Sequence, residues 1–499
     1  METASKNNIK VLVVIFAALL IMTNAANYFL VSSGTLGAFG GSETEAEEPT
    51  RVIRYDPDRY VYDAETALIW ETIDVLTKKH YSPVDLPVLV EGAVRGMLQS
   101  VGDPYAQFYS PEDLEEFILD TRGTYGGIGV RIIEVEPYVV VFETMPGTPA
   151  ERSNLNPGDR IIAADGHDLI GEGVTRAVEI LRGPENTSVE VEIVRPGSDE
   201  PIKVMVDREE IVVPTVASEM LSDGLGYISL NGFDSNTAAE FGRRLSSLEQ
   251  QGLEKGLILD LRNNHGGLVD QAIEVAEHLV PEGEIASVIG GEGEVLRTYY
   301  SRAVGKTYPI VVLINEESAS ASELLAGALQ DSGAALLVGK TTFGKASVQN
   351  LEYLPGNYGL LITVARYFTP SGHDIHEHGI SPDFEVEMSE ALRYYRYFFP
   401  GRLERGSYGP EVEMLQVMLN QIGYEVEDSG YFDQLTADAL AEFQEANDLR
   451  ATGEFDDRTW LVLRVALDEA LWRDDEQLNY AIELIGKPGL FTITGGNNQ

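Results

Sequence analysis

Apolar residues recur with different periods along this chain, and the changes of period divide it. Residues 11–31 are almost continuously apolar, from Val11-Leu-Val-Val-Ile-Phe-Ala-Ala-Leu-Leu-Ile-Met22 to Tyr28-Phe-Leu-Val31, behind Lys6 and Lys10. As a helix they would reach about 30 Å, the thickness of a bilayer core. The flanking lysines favour the N-terminus inside and the bulk of the chain outside. Residues 1–32 are therefore expected to be a single-pass anchor in the cell membrane. Ala25 and Ala26 offer a competing signal-peptide cleavage site, but apolar residues resume after it, which favours the uncleaved anchor. Either way the remainder is extracytoplasmic. Residues 33–60 contain Gly41-Ser-Glu-Thr-Glu-Ala-Glu-Glu-Pro49 without apolar period and read as a linker.

Residues 61–118 switch to a helical period. Ile69, Ile73 and Leu76 form one stripe, and Val90, Ala93, Val94, Met97 and Leu98 a second. Both need a covering surface, either their own domain or a second copy of the chain, and a homodimer is the working expectation. From 122 to 207 the pattern is short strands between Gly-rich turns: Val130–Ile133, Tyr138–Phe142 and Val189–Ile193. From 208 to 400 strands alternate with helices. Gly226–Leu230 is a strand, and Phe241, Leu245 and Leu248 mark a helix. Leu257–Leu261, Ile310–Ile314 and Leu336–Val338 are apolar runs of the kind found in buried strands. Residues 404–468 hold three helical stretches joined by Gly-containing turns, and 469–499 a helix and a polar tail. The expected fold is multidomain α/β: a transmembrane helix, a helical region, a β-rich domain, an α/β core and a small three-helix domain.

Composition narrows the function. Among 499 residues, 81 Asp and Glu oppose 36 Lys and Arg, a net charge of -45. Such a surface repels phosphates, so nucleic acid is not an expected partner. There is no cysteine, which excludes disulfides, thiolate metal sites and cysteine nucleophiles.

Candidate chemistry gathers just past the buried strands, where open α/β sheets place their sites. The strand at 310–314 runs into Asn315-Glu-Glu-Ser-Ala-Ser-Ala-Ser-Glu323 and then a helix. A serine at a helix N-terminus meets free N–H groups. Ser320 with Glu323 also spells a capping box, a purely structural alternative. The next strand ends in Gly339-Lys-Thr-Thr-Phe-Gly-Lys-Ala-Ser-Val-Gln349. A serine hydroxyl needs a base, and lysine serves only when neutral. Lowering a lysine from about 10.4 to about 7.5 costs roughly 4 kcal/mol, which burial can supply. Lys345, after Phe343 and Gly344, could be drawn under apolar cover. Lys340 is the alternative base, and Gln349 could orient the amine. In Asp260-Leu-Arg-Asn-Asn-His-Gly-Gly267 the paired glycines either bring an N–H to an oxyanion or simply make a turn.

These three stretches resemble the motifs of the carboxyl-terminal processing peptidases, or tail-specific proteases: Asp-Leu-Arg-Asn-Asn-Pro-Gly-Gly, Asn-x-Gly-Ser-Ala-Ser-Ala-Ser-Glu and Phe-Gly-Lys-Gly-Ser-Val-Gln. The resemblance implies a serine endopeptidase with Ser320 as nucleophile, Lys345 as general base and Gln349 positioning the lysine. The Gly266 and Ala321 amides would form the oxyanion hole, and no cofactor is required. The chain departs at His265, where proline is usual, at Glu317 for glycine, and at Ala346 for glycine. Tyr125-Gly-Gly-Ile-Gly-Val130 with Asn156-Pro-Gly-Asp-Arg-Ile-Ile-Ala-Ala-Asp-Gly166 resembles a PDZ domain. Gly127, Ile128 and Gly129 would then receive a peptide C-terminus, and Arg182 is a candidate regulatory contact. Residues 404–468 resemble a peptidoglycan-binding module, with Gly409-Pro-Glu-Val412, Leu415-Gln416, Gly430-Tyr-Phe432 and Phe443-Gln444. Implied partners are protein or peptide substrates with flexible C-termini, and peptidoglycan.

His373, His376 and His378 are spaced for a metal only if a strand continues through them. No His-Glu-x-x-His pattern occurs, and no metal site is expected. The rival to the protease reading is a catalytically silent PDZ scaffold tied to the cell wall; a metal-dependent hydrolase comes third.

Overall fold

The computed structural model describes residues 64–395, except 136, 197, 199 and 223, together with residues 402–491. The apolar span at 11–31 and the linker lie outside the described residues. Among the described residues no helix is long and apolar enough to cross a membrane.

The two predicted stripes form α1 (Ala64–Lys79) and α2 (Leu86–Val101). Gly102 ends α2 in the left-handed region, with φ 74°. Leu68, Trp70, Val88 and Val101 remain exposed, and α2 contains no buried residue. The turn through Asp103, Pro104 and Tyr105 leads into β1 (Gln107–Tyr109) and α3 (Pro111–Arg122). β1 was not expected in a helical region. It exists because it pairs with residues 359–361, some 250 positions away, which no local period reports.

The β-rich domain follows with β2 (Thr124–Gly127), β3 (Val130–Val135), β4 (Tyr138–Thr144), α4 (Pro149–Arg152), β5 (Arg160–Ala164), β6 (His167–Asp168), α5 (Gly173–Leu181), β7 (Ser188–Val194), β8 (Pro201–Asp207) and β9 (Glu209–Val212). The order is β3-β4-β5-β7-β8, with β6 on β5. Val189, Val191 and Ile193 alternate inward, as a sheet with one core face requires. β9 pairs with β2 and closes the domain a few residues beyond the expected boundary at 207.

The α/β core is built from β10 (Val216–Ser222), β11 (Leu225–Leu230), α6 (Thr237–Gln250), β12 (Gly256–Asp260), α7 (Val269–Leu279), β13 (Gly283–Gly290), β14 (Val295–Ser301), β15 (Ile310–Ile314), α8 (Ala321–Asp331), β16 (Leu336–Gly339), β17 (Ser347–Leu354), β18 (Tyr358–Phe368) and β19 (Phe384–Glu385). One sheet runs β10-β11-β12-β15-β16-β19 and is parallel from β11 onward. Every residue of β12 and β15 is buried, as expected for central strands covered on both faces. Leu257, Leu259, Val312 and Ile314 face the cluster that includes α6, α7 and α8. Ile258, Val311 and Leu313 face the other way. A second, antiparallel sheet of β1, β18, β13 and β14, with β17 on β18, was not foreseen.

After α9 (Glu390–Tyr395), the small domain packs α10 (Pro410–Gln421), α11 (Gln434–Ala446) and α12 (Asp457–Arg473) around Leu415, Leu419, Phe432, Phe443 and Trp460. Asp433 and Asp456 cap α11 and α12 by accepting the Thr436 and Thr459 amides, each at 2.8 Å. The last helix, α13 (Glu476–Ile485), leaves this domain. Leu478, Ala481, Leu484 and Ile485 pack on the second face of the parallel sheet against Tyr227, Ile258, Val311, Leu313 and Val338.

Candidate active site

Ser320 stands between β15 and α8 with φ 57° and ψ −114°, a conformation that strains any residue with a side chain. Neighbouring loops hold it there. The Ser318 hydroxyl donates to the Leu261 carbonyl at 2.7 Å, and the Ala319 amide to the Asn264 carbonyl at 3.0 Å. Glu323 accepts the Ser320 amide at 2.7 Å, so the capping box foreseen in the sequence is present. Its carboxylate reaches further than a cap. It also accepts the Thr342 hydroxyl at 2.5 Å and the Gly344 and Lys345 amides at 2.6 and 2.8 Å. One carboxylate thus ties the serine turn to the lysine loop. Burial pushes the Glu323 carboxyl above the usual range, against the lowering effect of these hydrogen bonds.

Lys345 and Ser320 are tied a second time. The Tyr367 hydroxyl lies 2.6 Å from both the Ser320 and the Lys345 carbonyls. Ser320 is fully buried and Lys345 is 9% exposed. Burial pushes the Lys345 ammonium down to about 8, although Asp103 and Glu323 pull the other way. The shift from 10.5 corresponds to about 3 kcal/mol against the charged form, and leaves about a tenth of the amine neutral at pH 7. Lys340 contrasts in every respect. It is paired with Glu385 at 2.8 Å and with Glu387, and these partners hold it well above the usual lysine range. A lysine so paired is a poor base.

The Lys345 amine sits over the Tyr105 ring, 4.5 Å from its centre. Gln349 reaches the same residue: its side-chain amide donates to the Tyr105 carbonyl at 2.6 Å. Asp103 fixes this turn by accepting the Tyr105 amide at 2.9 Å and the Thr363 amide at 3.2 Å. Tyr105 was missed in the sequence. The only available signal was an Asp-Pro turn directly after a helical stripe.

Gly266 lies against the serine. A Cβ there would stand 2.9 Å from that of Ser320 and 3.0 Å from the Ala321 amide nitrogen, and φ is +101°. Glycine is required on both counts. The Gly266 N–H donates to the Asn264 side chain at 2.9 Å. Ala321 begins α8, where amides point out of the helix. Two departures noted in the sequence meet here: His265 Nδ1 and Glu317 Oε2 lie 3.6 Å apart, bridging the glycine loop and the serine loop. Ala346, the third, is fully buried.

In the β-rich domain Gly127 ends β2, Ile128 is buried in the core, and Gly129 has φ +79° with its Cβ direction filled by Thr148. Arg182 donates to Glu116 of α3 at 3.1 Å and lies over the Tyr125 ring at 4.8 Å. It therefore bridges this domain to the helix that follows β1. His373, His376 and His378 fall in the irregular segment after β18, with His376 and His378 in a turn, not on a strand. Among the described residues no cluster of His, Asp or Glu could hold a metal ion.

Residues 224–386 match the model of peptidase family S41. Residues 116–194 match a PDZ domain, 408–463 a peptidoglycan binding domain, and 30–112 the N-terminal domain of the activating protease CtpB. The chain is 34% identical over 411 residues to the carboxy-terminal processing protease CtpA of Bacillus subtilis, covering 82% of this chain and 87% of that one. CtpB of the same organism is 30% identical over 83% of this chain and 88% of its own. A carboxyl-terminal-processing protease of Synechocystis is 38% identical over 59% of this chain and 70% of its own.

Proposed function

The chain belongs to peptidase family S41, the serine-type carboxyl-terminal processing proteases, and from that premise we propose that it is a membrane-anchored, extracytoplasmic endopeptidase using a Ser320–Lys345 dyad assisted by Gln349. Its substrates are exported or membrane proteins that enter by a flexible C-terminus, with the PDZ domain controlling access. One observation carries the reading: Lys345 is buried and pushed down to about 8, on a loop bound to the strained Ser320 turn by Glu323 and Tyr367.

In this mechanism neutral Lys345 takes the Ser320 proton as Oγ attacks the peptide carbonyl. The Ala321 amide, in the first turn of α8, meets the developing oxyanion. The Gly266 amide, engaged by Asn264 at rest, is shared with it. The lysine then protonates the leaving amine, and the freed base activates the water that hydrolyses the acyl-enzyme. Gln349 supports the base through the Tyr105 carbonyl. The anchor at residues 11–31 would keep the enzyme at the membrane, and the small domain would engage peptidoglycan. The exposed apolar face of α1 and α2 would be covered by a second copy of the chain.

The test is degradation of casein by the soluble portion, from about residue 40, beside Ser320→Ala and Lys345→Ala. Cleavage by the parent alone, undiminished by EDTA, supports the dyad. Variants that cut as well as the parent rule it out.

A further inference from the structure

The loop that carries Gly266 is anchored at its far end by a residue more than 200 positions away. Arg262, two residues past β12, is 7% exposed. It donates to both Asp260 oxygens at 2.7–3.0 Å. The other edge of its guanidinium forks onto Asp475, at 2.9 Å to Oδ1 and 2.8 Å to Oδ2, and reaches Gln477 Oε1 at 3.2 Å. Asp260 in turn accepts the Tyr227 hydroxyl at 2.7 Å. Asp475 and Gln477 are themselves buried, at the start of α13. Gln477 also donates to the Val386 carbonyl at 2.8 Å, which pins the helix beside β19.

From Arg262 the chain passes through contacts with the serine turn at every step. The Asn263 amide donates to the Asn315 side chain at 2.8 Å, and the Asn315 amide group returns a bond to Asn263 at 2.9 Å. The Asn264 carbonyl accepts the Ala319 amide and the Ser322 hydroxyl, at 3.0 and 2.9 Å. Gly266 then touches Ser320 itself. Because each bond is short and at least partly buried, the position of the guanidinium sets the position of the glycine loop.

We propose that Asp475, seconded by Gln477, is a positioning residue for the glycine loop, so that α13 belongs to the catalytic unit although it follows the small helical domain in sequence. The family matches end at residues 386 and 463, so neither the peptidase nor the peptidoglycan-binding pattern includes it. A guanidinium already satisfied by Asp260 does not need a second buried carboxylate for charge balance. Two carboxylates on adjacent edges, sharing Nη2, instead fix its plane. Asp475 accepts the Leu478 amide at 3.0 Å as the cap of α13. Asparagine keeps that cap but turns an amide N–H toward the arginine fork. Asp475→Asn therefore loosens the loop while leaving the helix capped.

The kinetic consequence rests on the protease reading, whereas the structural one does not. In the full chain, Asp475→Asn is expected to lower kcat about tenfold on a peptide with a free C-terminus, with KM changed less than about twofold. Amides of residues 262–267 should exchange about tenfold faster with solvent. Asp475→Glu, which restores the charge, should recover part of both. Gln477→Ala gives the same signs at smaller size, and decides if Asp475→Asn does not fold. Parental kcat and parental exchange in folded Asp475→Asn overturn the proposal. If the parent itself cuts nothing, the protease reading fails and exchange decides alone: unchanged protection of 262–267 sinks the positioning role.

Discussion

The choice between two lysines shows how far residue types alone carry the assignment. Lys340 and Lys345 lie five positions apart in one loop, and both were candidate bases. Burial separates them: one has two carboxylate partners near the surface, the other an aromatic ring and little water. Tyr105 supplies that cover, and it acts in two senses. Excluding water favours the neutral amine, whereas the ring face favours ammonium by about 1 kcal/mol. Desolvation is the larger effect on Lys345. Tyr105→Ala should therefore raise the lysine and move the acid limb of the pH–rate profile upward by about one unit. Tyr105→Phe should leave it nearly in place. A limb that moves downward in Tyr105→Ala would mean that the ring acts mainly through its face.

At the scale of elements, the central strands were legible because burial on both faces writes a continuous apolar run, as in Ile310–Ile314. The serine and lysine loops were legible because they follow such strands. β1 and the second sheet were not, since Gln107–Tyr109 becomes a strand only through its distant partner in β18. The role of Tyr105 was hidden for the same reason: it is a matter of long-range placement. In the sequence Glu323 spells only a cap, because its bonds to the lysine loop cross about 20 residues. Glu323→Gln keeps the size of the side chain but replaces an acceptor oxygen by a donor facing N–H and O–H groups. It should cost about 3 kcal/mol and lower Tm by several degrees. If the Ser320–Lys345 proposal holds, activity should fall further than stability accounts for, since the serine and lysine loops lose their tie. Calorimetry and peptide hydrolysis on the same sample check this; unchanged activity would reduce Glu323 to a cap.

The whole molecule joins a PDZ domain, an S41 peptidase core and a peptidoglycan-binding domain with contacts that cross domain lines. Arg464 of α12 lies over the Phe142 ring of β4 at 4.0 Å, and Arg182 reaches α3. The exposed apolar residues of α1 and α2 predict a dimer of the soluble portion by light scattering. Changing Leu68, Trp70 and Val88 together to Glu should give a monomer; a parent that is monomeric at working concentration contradicts this. The proposed mechanism requires a lysine that is neutral enough to act at physiological pH. The most direct test is kcat/KM of the soluble enzyme on one peptide between pH 6 and pH 10. With Lys345 as the base, the rate should rise tenfold per unit at low pH and level at an apparent pKa of about 8. A plateau already reached at pH 6, or a rise that continues through pH 10, would contradict Lys345 as the buried base.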